Sequence, residues 1–174
     1  MAAKLGLVAF QPALDRELIR ELLRLLPEVE TDMPLFFRNL PLLSAHSTEA
    51  ALSPEERIAP LLPAYYRPEQ LTPAYRNHLL AWLNQYHERL RQDNLPEEVR
   101  RQRMHAVNPK YVLRNYLAQL VIDQIELGDF SLVEEMLEVL RHPYDEQPGK
   151  ERFAEKRPEW ARHRPGCSML SCSS

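Results

Sequence analysis

The sequence predicts an all-α fold followed by an irregular, extended C-terminal tail. Three observations carry that prediction. The 174 residues include only 4 Gly against 15 Pro, and glycine supplies the positive-φ turns that hairpins and phosphate loops require. Apolar residues return every three or four positions over long stretches, as in helices with one buried face. The prolines fall mostly between those stretches, where they start helices and stiffen the links. A composition of 44% hydrophobic and 27% charged residues is that of a globular chain able to bury a core.

The first helix carries Leu14, Leu18, Leu22 and Leu25 on one stripe and stops at Pro27. Asp15 is its expected cap, with Leu14 stapled onto Ile19. Thr31-Asp32-Met33-Pro34 opens a second, short helix bearing Leu35, Phe36, Phe37 and Leu40 as far as Pro41. Ser44 to Ser53 reads as a loop or a marginal helical turn. Ser53-Pro54-Glu55-Glu56 forms a capping box, and Pro60 and Pro63 close the helix it starts.

Thr72-Pro73 opens the longest amphipathic run. Tyr75, Leu79, Trp82, Leu83, Tyr86 and Leu90 lie on one face, with Asn77, Gln85, Glu88 and Arg89 off it. Asp93-Asn94 breaks that run. Pro96-Glu97-Glu98 sets two carboxylates at the positive end of the next helix, with Arg100, Arg101 and Arg103 further along. Asn108-Pro109 reads as a cap and proline starting a helix through Val112, Leu113, Tyr116, Leu117, Leu120, Val121 and Ile125 to Gly128. Ser131 with Glu134 reads as a second capping box, before a helix that ends at Pro143. The composition then changes. Residues 1–143 form the helical region, and residues 144–174 a Pro-rich tail anchored by Phe153 and Trp160 and ending in Cys172-Ser173-Ser174.

Charge and motifs exclude several functions. Twenty-two Lys plus Arg against 25 Asp plus Glu leaves 22 − 25 = −3, which does not favour phosphate-driven nucleic-acid binding. No run approaches the roughly 20 apolar residues of a membrane span, and the start lacks the features of a signal peptide. With 2 Cys there is no multi-disulfide scaffold. These features predict a soluble, cytoplasmic protein. His46, His78, His87, His105, His142 and His163 show no metal-ligand spacing. The basic cluster of Arg100, Arg101, Arg103, Lys110 and Arg114 is flanked by Glu97 and Glu98 and reads as a solvated helix face rather than a phosphate or RNA contact. No glycine-rich loop and no nucleophile elbow is present, so no local signature assigns catalytic, cofactor-binding or metal-binding residues, although a serine triad is spatial and leaves no such signature. Cys167 and Cys172 remain, in a segment too polar to bury them. They are either thiols available for oxidation and exchange or incidental surface cysteines.

Longer motifs carry a resemblance. Asn108-Pro-Lys-Tyr-Val-Leu-Arg-Asn-Tyr-Leu117 with Gly128-Asp129, His142-Pro-Tyr-Asp-Glu-Gln-Pro148, Trp160-Ala161 and the final Cys172-Ser173-Ser174 are similar to the C-terminal region of the selenoprotein O family. Ala3-Lys4-Leu5-Gly6-Leu7, Asp15 and Phe36-Phe37-Arg38 resemble the same family in the same order. The resemblance implies a kinase-like protein that binds ATP in a flipped orientation. With a divalent metal such as magnesium, it transfers AMP to protein Ser, Thr or Tyr hydroxyls. The family's nucleotide and metal residues lie upstream of Met1, so this chain corresponds to the C-terminal third, and its expected partners are the kinase-like region and the protein substrates. Cys172 falls where the family carries a redox-active selenocysteine or cysteine, which can pair with a cysteine of the kinase-like part; Cys167 is less clearly matched. A reading from another class is a free-standing helical interaction module that bears the tail as an appendage. An uncovered apolar face would instead mark a domain separated from its neighbour, and Leu5, Leu7, Val8 and Phe10 are candidates for that surface.

Overall fold

A computed structural model describes residues 1–44 and 52–167. The loop reading for 45–51, His46, and the final segment with Cys172 lie outside the described residues. Seven α-helices are found among the described residues: α1 Pro12–Leu25, α2 Met33–Asn39, α3 Pro54–Ile58, α4 Pro73–Asp93, α5 Glu97–His105, α6 Asn115–Glu126 and α7 Ser131–Arg141. The described residues form no sheet, only an isolated antiparallel bridge between Thr31 and Tyr65. None of their helices is long and apolar enough to cross a membrane. The fold is all-α, as the apolar periodicity predicts.

Contacts divide the chain into two compact units, Met1–Asn108 and Pro109–Ser174. Residues 144–167 group with α6 and α7 in the second unit.

In the first unit α4 is the central element. Thr72 caps it by accepting from the Tyr75 amide at 3.2 Å, and Asn94 ends it in the left-handed region at φ 46°. Its apolar stripe is the one predicted: Tyr75, Leu79, Trp82, Leu83, Tyr86 and Leu90 are all buried. Trp82 donates through Nε1 to the Leu18 carbonyl at 2.9 Å, which fixes α4 against α1. Asp32 caps α2 by accepting from the Leu35 amide at 3.0 Å. Ser53 and Glu56 form the expected capping box of α3. Linking 3-10 turns at Leu26–Glu28, Leu40–Leu42 and Ala59–Ala64 carry the prolines.

Several expectations in this unit are corrected. Asp15 does not cap α1. It is fully buried in the first turn, where its carboxylate accepts from Arg89 Nε at 2.7 Å and from the Gln11 amide at 2.6 Å. Leu14 is exposed and staples nothing, because the buried stripe of α1 is Leu18, Leu22 and Leu25. Arg89 is buried too, its guanidinium reaching Asp15, Asp93 and the Ala9 carbonyl. Arg100, assigned to a solvated face, is buried and donates to the Leu43 carbonyl at 2.8 Å. Leu5 and Leu7 are core residues, while Val8 and Phe10 are exposed as expected. Gly6 explains the difference. It sits at φ 73°, and a Cβ there would meet Met104 Sδ at 2.7 Å, so glycine lets the N-terminal segment press Leu5 and Leu7 onto α5.

The second unit departs further from its sequence reading. Asn108 does not start a helix; its side chain donates to the Lys4 carbonyl at 2.9 Å within the first unit. α6 begins only at Asn115. Before it, the amides of Lys110 and Tyr111 both donate to the Pro143 carbonyl, at 2.8 and 3.0 Å, so they are engaged by another segment and not by a helical ladder. Gly128, at φ 83°, does follow the end of α6. Ser131 is the first residue of α7 rather than its cap, and its amide donates to the Asp129 carboxylate at 2.9 Å. Phe153 is buried as an anchor, whereas Trp160 is 50% exposed.

Candidate functional site

Segments 110–116 and 142–155 meet in the second unit. Tyr111 is buried, its hydroxyl both donating to the Gln147 carbonyl and accepting from the Gln147 amide at 3.3 Å. Gln147 in turn donates through Nε2 to the carbonyls closing α7, those of Val139 at 3.0 Å and His142 at 2.8 Å. Lys110 pairs with Glu146 at 2.5 Å. Arg114 and Tyr116 donate to the carbonyls of Ala154 and Glu155, at 3.4 and 3.2 Å. The stretch from Lys110 to Tyr116 is thus a strap whose side chains satisfy the backbone of the segment that follows α7. Its chemistry is that of a scaffold: it engages main-chain groups that irregular backbone would otherwise leave unpaired.

Beside the strap lies a groove of about 640 Å³ between α6, α7 and the segment after Glu151, with a floor of Leu117, Leu120, Leu132 and Phe153. Trp160 stands at its edge, edge-to-face with Tyr116 at 6.3 Å. Charges on its rim are compensated locally. Glu135 pairs with Lys150 at 2.7 Å and with Arg152, and the Lys150 hydrogen bond holds its pKa below the ordinary carboxylate range. Asp123 accepts from Gln119 and from Arg164 and is likewise lowered, chiefly by the Gln119 bond.

The two candidate redox residues have different standings. Cys167 is 3% exposed, packed in the cluster of Tyr111, Tyr116, Leu117, Met136 and Phe153. The expectation that its segment is too polar to bury it is corrected: Ala161, Phe153 and the strap supply the apolar surround. Cys172 lies outside the described residues. Among the described residues no group of three or more His, Cys, Asp or Glu is placed to hold a metal ion. Gly6, Gly128, Gly149 and Gly166 take positive φ singly, in separate turns, and not in a phosphate-cradling loop.

Comparison with known proteins assigns the scaffold to a family. A family model described as protein adenylyltransferase SelO matches residues 1–141. The chain belongs to the SelO family. The protein nucleotidyltransferase YdiU of Rhodopirellula baltica is 55% identical over 179 residues, covering 100% of this chain and 33% of that protein. Proteins of the same name from Aromatoleum aromaticum and Nitrosospira multiformis are 49% and 44% identical, covering 100% of this chain and 31% and 34% of theirs. The chain spans about a third of the length of these SelO-family relatives. Within that third, sequence reading passes over Asp123, Gln119 and Arg164. The Gln119–Asp123 spacing of four on a helix is the available signal, but nothing local points from Asp123 to a residue 41 positions away.

Proposed function

We propose that this chain is the helical C-terminal region of a SelO-type protein nucleotidyltransferase. In the intact protein, a Ser, Thr or Tyr hydroxyl of a protein substrate attacks the α-phosphorus of ATP, AMP is transferred and pyrophosphate leaves. ATP and a divalent metal such as magnesium are held by the kinase-like region and not by residues of this chain. The role of this chain is to pack against that region and to carry Cys172, in the cytoplasm, as a redox-active thiol. A tethered thiol meets its partner at high effective concentration, so mild oxidation closes the bond. A disulfide there restrains the catalytic region without touching ATP.

One observation carries this reading: the SelO match across residues 1–141 of a chain that spans a third of its nucleotidyltransferase relatives. Two measurements test it. Calorimetry of the 174-residue chain with ATP and magnesium is expected to give no saturable heat; saturable binding overturns the assignment of the ATP site elsewhere. In the intact protein, Cys172→Ser is expected to leave basal AMP transfer unchanged and abolish its response to oxidant. An unchanged oxidant response removes the redox role.

A further inference from the structure

The groove beside the strap has an apolar floor and a rim that still wants a cation. Its volume is about 640 Å³, and Leu117, Leu120, Leu132 and Phe153 form the floor. Leu127 also lines it and is 86% exposed, more than any other large apolar side chain among the described residues. An apolar lining left this open marks a surface that another molecule covers. The rim says what kind of molecule. Its lining carries three carboxylates, Asp123, Glu135 and Glu155, against one guanidinium, that of Arg152. Asp123 is paired with Arg164, and Glu135 with Lys150 and Arg152. The third carboxylate, Glu155, is exposed and has no cationic partner among the described residues. Trp160, half-exposed at the edge, already draws the Arg164 guanidinium to 5.9 Å from its ring centre, so it too favours a cation. Gln124 adds a further demand. Its amide oxygen is shut away from water without a hydrogen-bond partner, a cost relieved when the side chain turns to a donor that an occupant brings.

We propose that this groove is a docking site for a basic amphipathic helix of a separate protein. The apolar face of that helix covers Leu127 and the floor, and a Lys or Arg beside the face pairs with Glu155. Each demand of the groove is met by one feature of such a helix. Apolar side chains at helical spacing fill a trough between two helices, as a third helix does in a bundle. A flanking ammonium or guanidinium supplies both the charge for Glu155 and a donor for Gln124. A small molecule is the poorer fit, because small ligands are taken by sites that enclose most of their surface, and here Leu127 stays open. A negatively charged partner is disfavoured by Glu155, which repels it. The proposal rests on the second unit alone and not on the nucleotidyltransferase reading.

The test titrates the 174-residue chain with a synthetic peptide of about 18 residues, leucine at every third or fourth position and lysine or alanine between. Of the 2 Trp, Trp82 is buried and Trp160 stands at the groove, so docking shifts Trp160 emission to the blue and saturates. In Trp160→Phe the shift is lost while calorimetry still records the binding. A peptide with glutamate in place of lysine binds at least about tenfold more weakly. Leu127→Lys, at a position exposed enough to spare the fold, also costs at least about tenfold. Glu155→Gln costs about threefold for the lysine peptide and nothing for one with glutamine in place of lysine. Should a variant fail to fold, salt at about 0.5 M on the unaltered chain weakens the lysine peptide and spares the glutamine one. No saturable shift overturns the proposal, as does equal affinity for the lysine and glutamate peptides. Binding indifferent to both Leu127→Lys and Glu155→Gln places the peptide elsewhere and overturns it too. Emission that shifts with chain concentration alone assigns the groove to a second copy, and an intact protein that refuses the peptide assigns it to the rest of the polypeptide. Either result overturns the proposal.

Discussion

Arg89 places a guanidinium in the core of the first unit and spreads it over Asp15, Asp93 and the Ala9 carbonyl. Burial opposes its charge, but the hydrogen bonds to Asp93 and Asp15 outweigh that, and its pKa rises above the ordinary value. Such a set is destabilised when one member goes, because the buried charges that remain are left undercompensated away from water. Asp15→Ala is expected to cost about 3–5 kcal/mol in urea unfolding. The double change Asp15→Leu with Arg89→Met is expected to cost less than the sum of its two single changes, since it leaves only Asp93, which still accepts from the Val8 amide at 2.8 Å; a double loss equal to the sum of the singles would show that the pair is uncoupled. His87, on the same helix, is buried with the opposite outcome. Its ring lies 5.6 Å from that of Tyr86, and its pKa is pushed down to about 4 by burial first and then by Arg100, Arg57 and Arg91, with Glu97 opposing. The folded chain keeps His87 neutral, while the unfolded chain takes up a proton near the ordinary value of about 6.5. Between those two values the unfolded state binds more protons, so stability falls as pH drops through the window from about 6.5 to 4. The full loss is on the order of 3 kcal/mol. Urea midpoints taken across this window are expected to fall less steeply in His87→Gln; an identical slope would assign the acid sensitivity to other groups.

At the scale of elements, the caps separate what pattern reveals from what packing decides. At α4 the pattern is right, and Thr72 accepts from the Tyr75 amide where the sequence places the cap. At α7 it misleads. Ser131→Ala, which removes only the hydroxyl beside Asp129, is expected to lower stability by less than Asp129→Ala, which costs about 1 kcal/mol because Asp129 is the residue that accepts from the Ser131 amide. The reverse order would restore Ser131 as the cap. α4 was legible because its start, its stripe and its stop all agree along one stretch of sequence. The start of α6 was not, because the carbonyl of Pro143, distant in sequence, engages the amides of Lys110 and Tyr111. Arg89 and Arg100 were misplaced for a related reason: charge argues for solvent, and only the fold brings the Asp15 carboxylate and the Leu43 carbonyl to meet them. The Asp123–Arg164 ion pair is invisible in the sequence for the same cause.

For the whole molecule, each unit has its own core, and the two differ in kind. The first buries Phe36, Phe37, Tyr65, Tyr75, Trp82 and Tyr86 among leucines, with Trp82 stacked on Tyr86 at 5.1 Å. The second relies on Tyr111, Tyr116, Leu117, Met136, Val139 and Phe153, and leaves Leu127 86% exposed together with Phe130 and Leu137. Much of its order comes instead from single hydrogen bonds between strap side chains and irregular backbone. Burial of apolar area is the larger source of stability, and regions with few buried apolar contacts open first. Amides in the middle of α4, from Leu79 to Tyr86, are therefore expected to outlast those of α6, from Leu120 to Gln124, by at least about tenfold in hydrogen exchange. Tyr111→Phe, which removes only the hydroxyl that holds Gln147, should speed exchange in α7 and leave α4 unchanged. Equal protection of α4 and α6, or a Tyr111→Phe effect that reaches α4, would mean that the two cores melt as one cooperative body, and the strap would then be supporting the whole chain rather than its own unit.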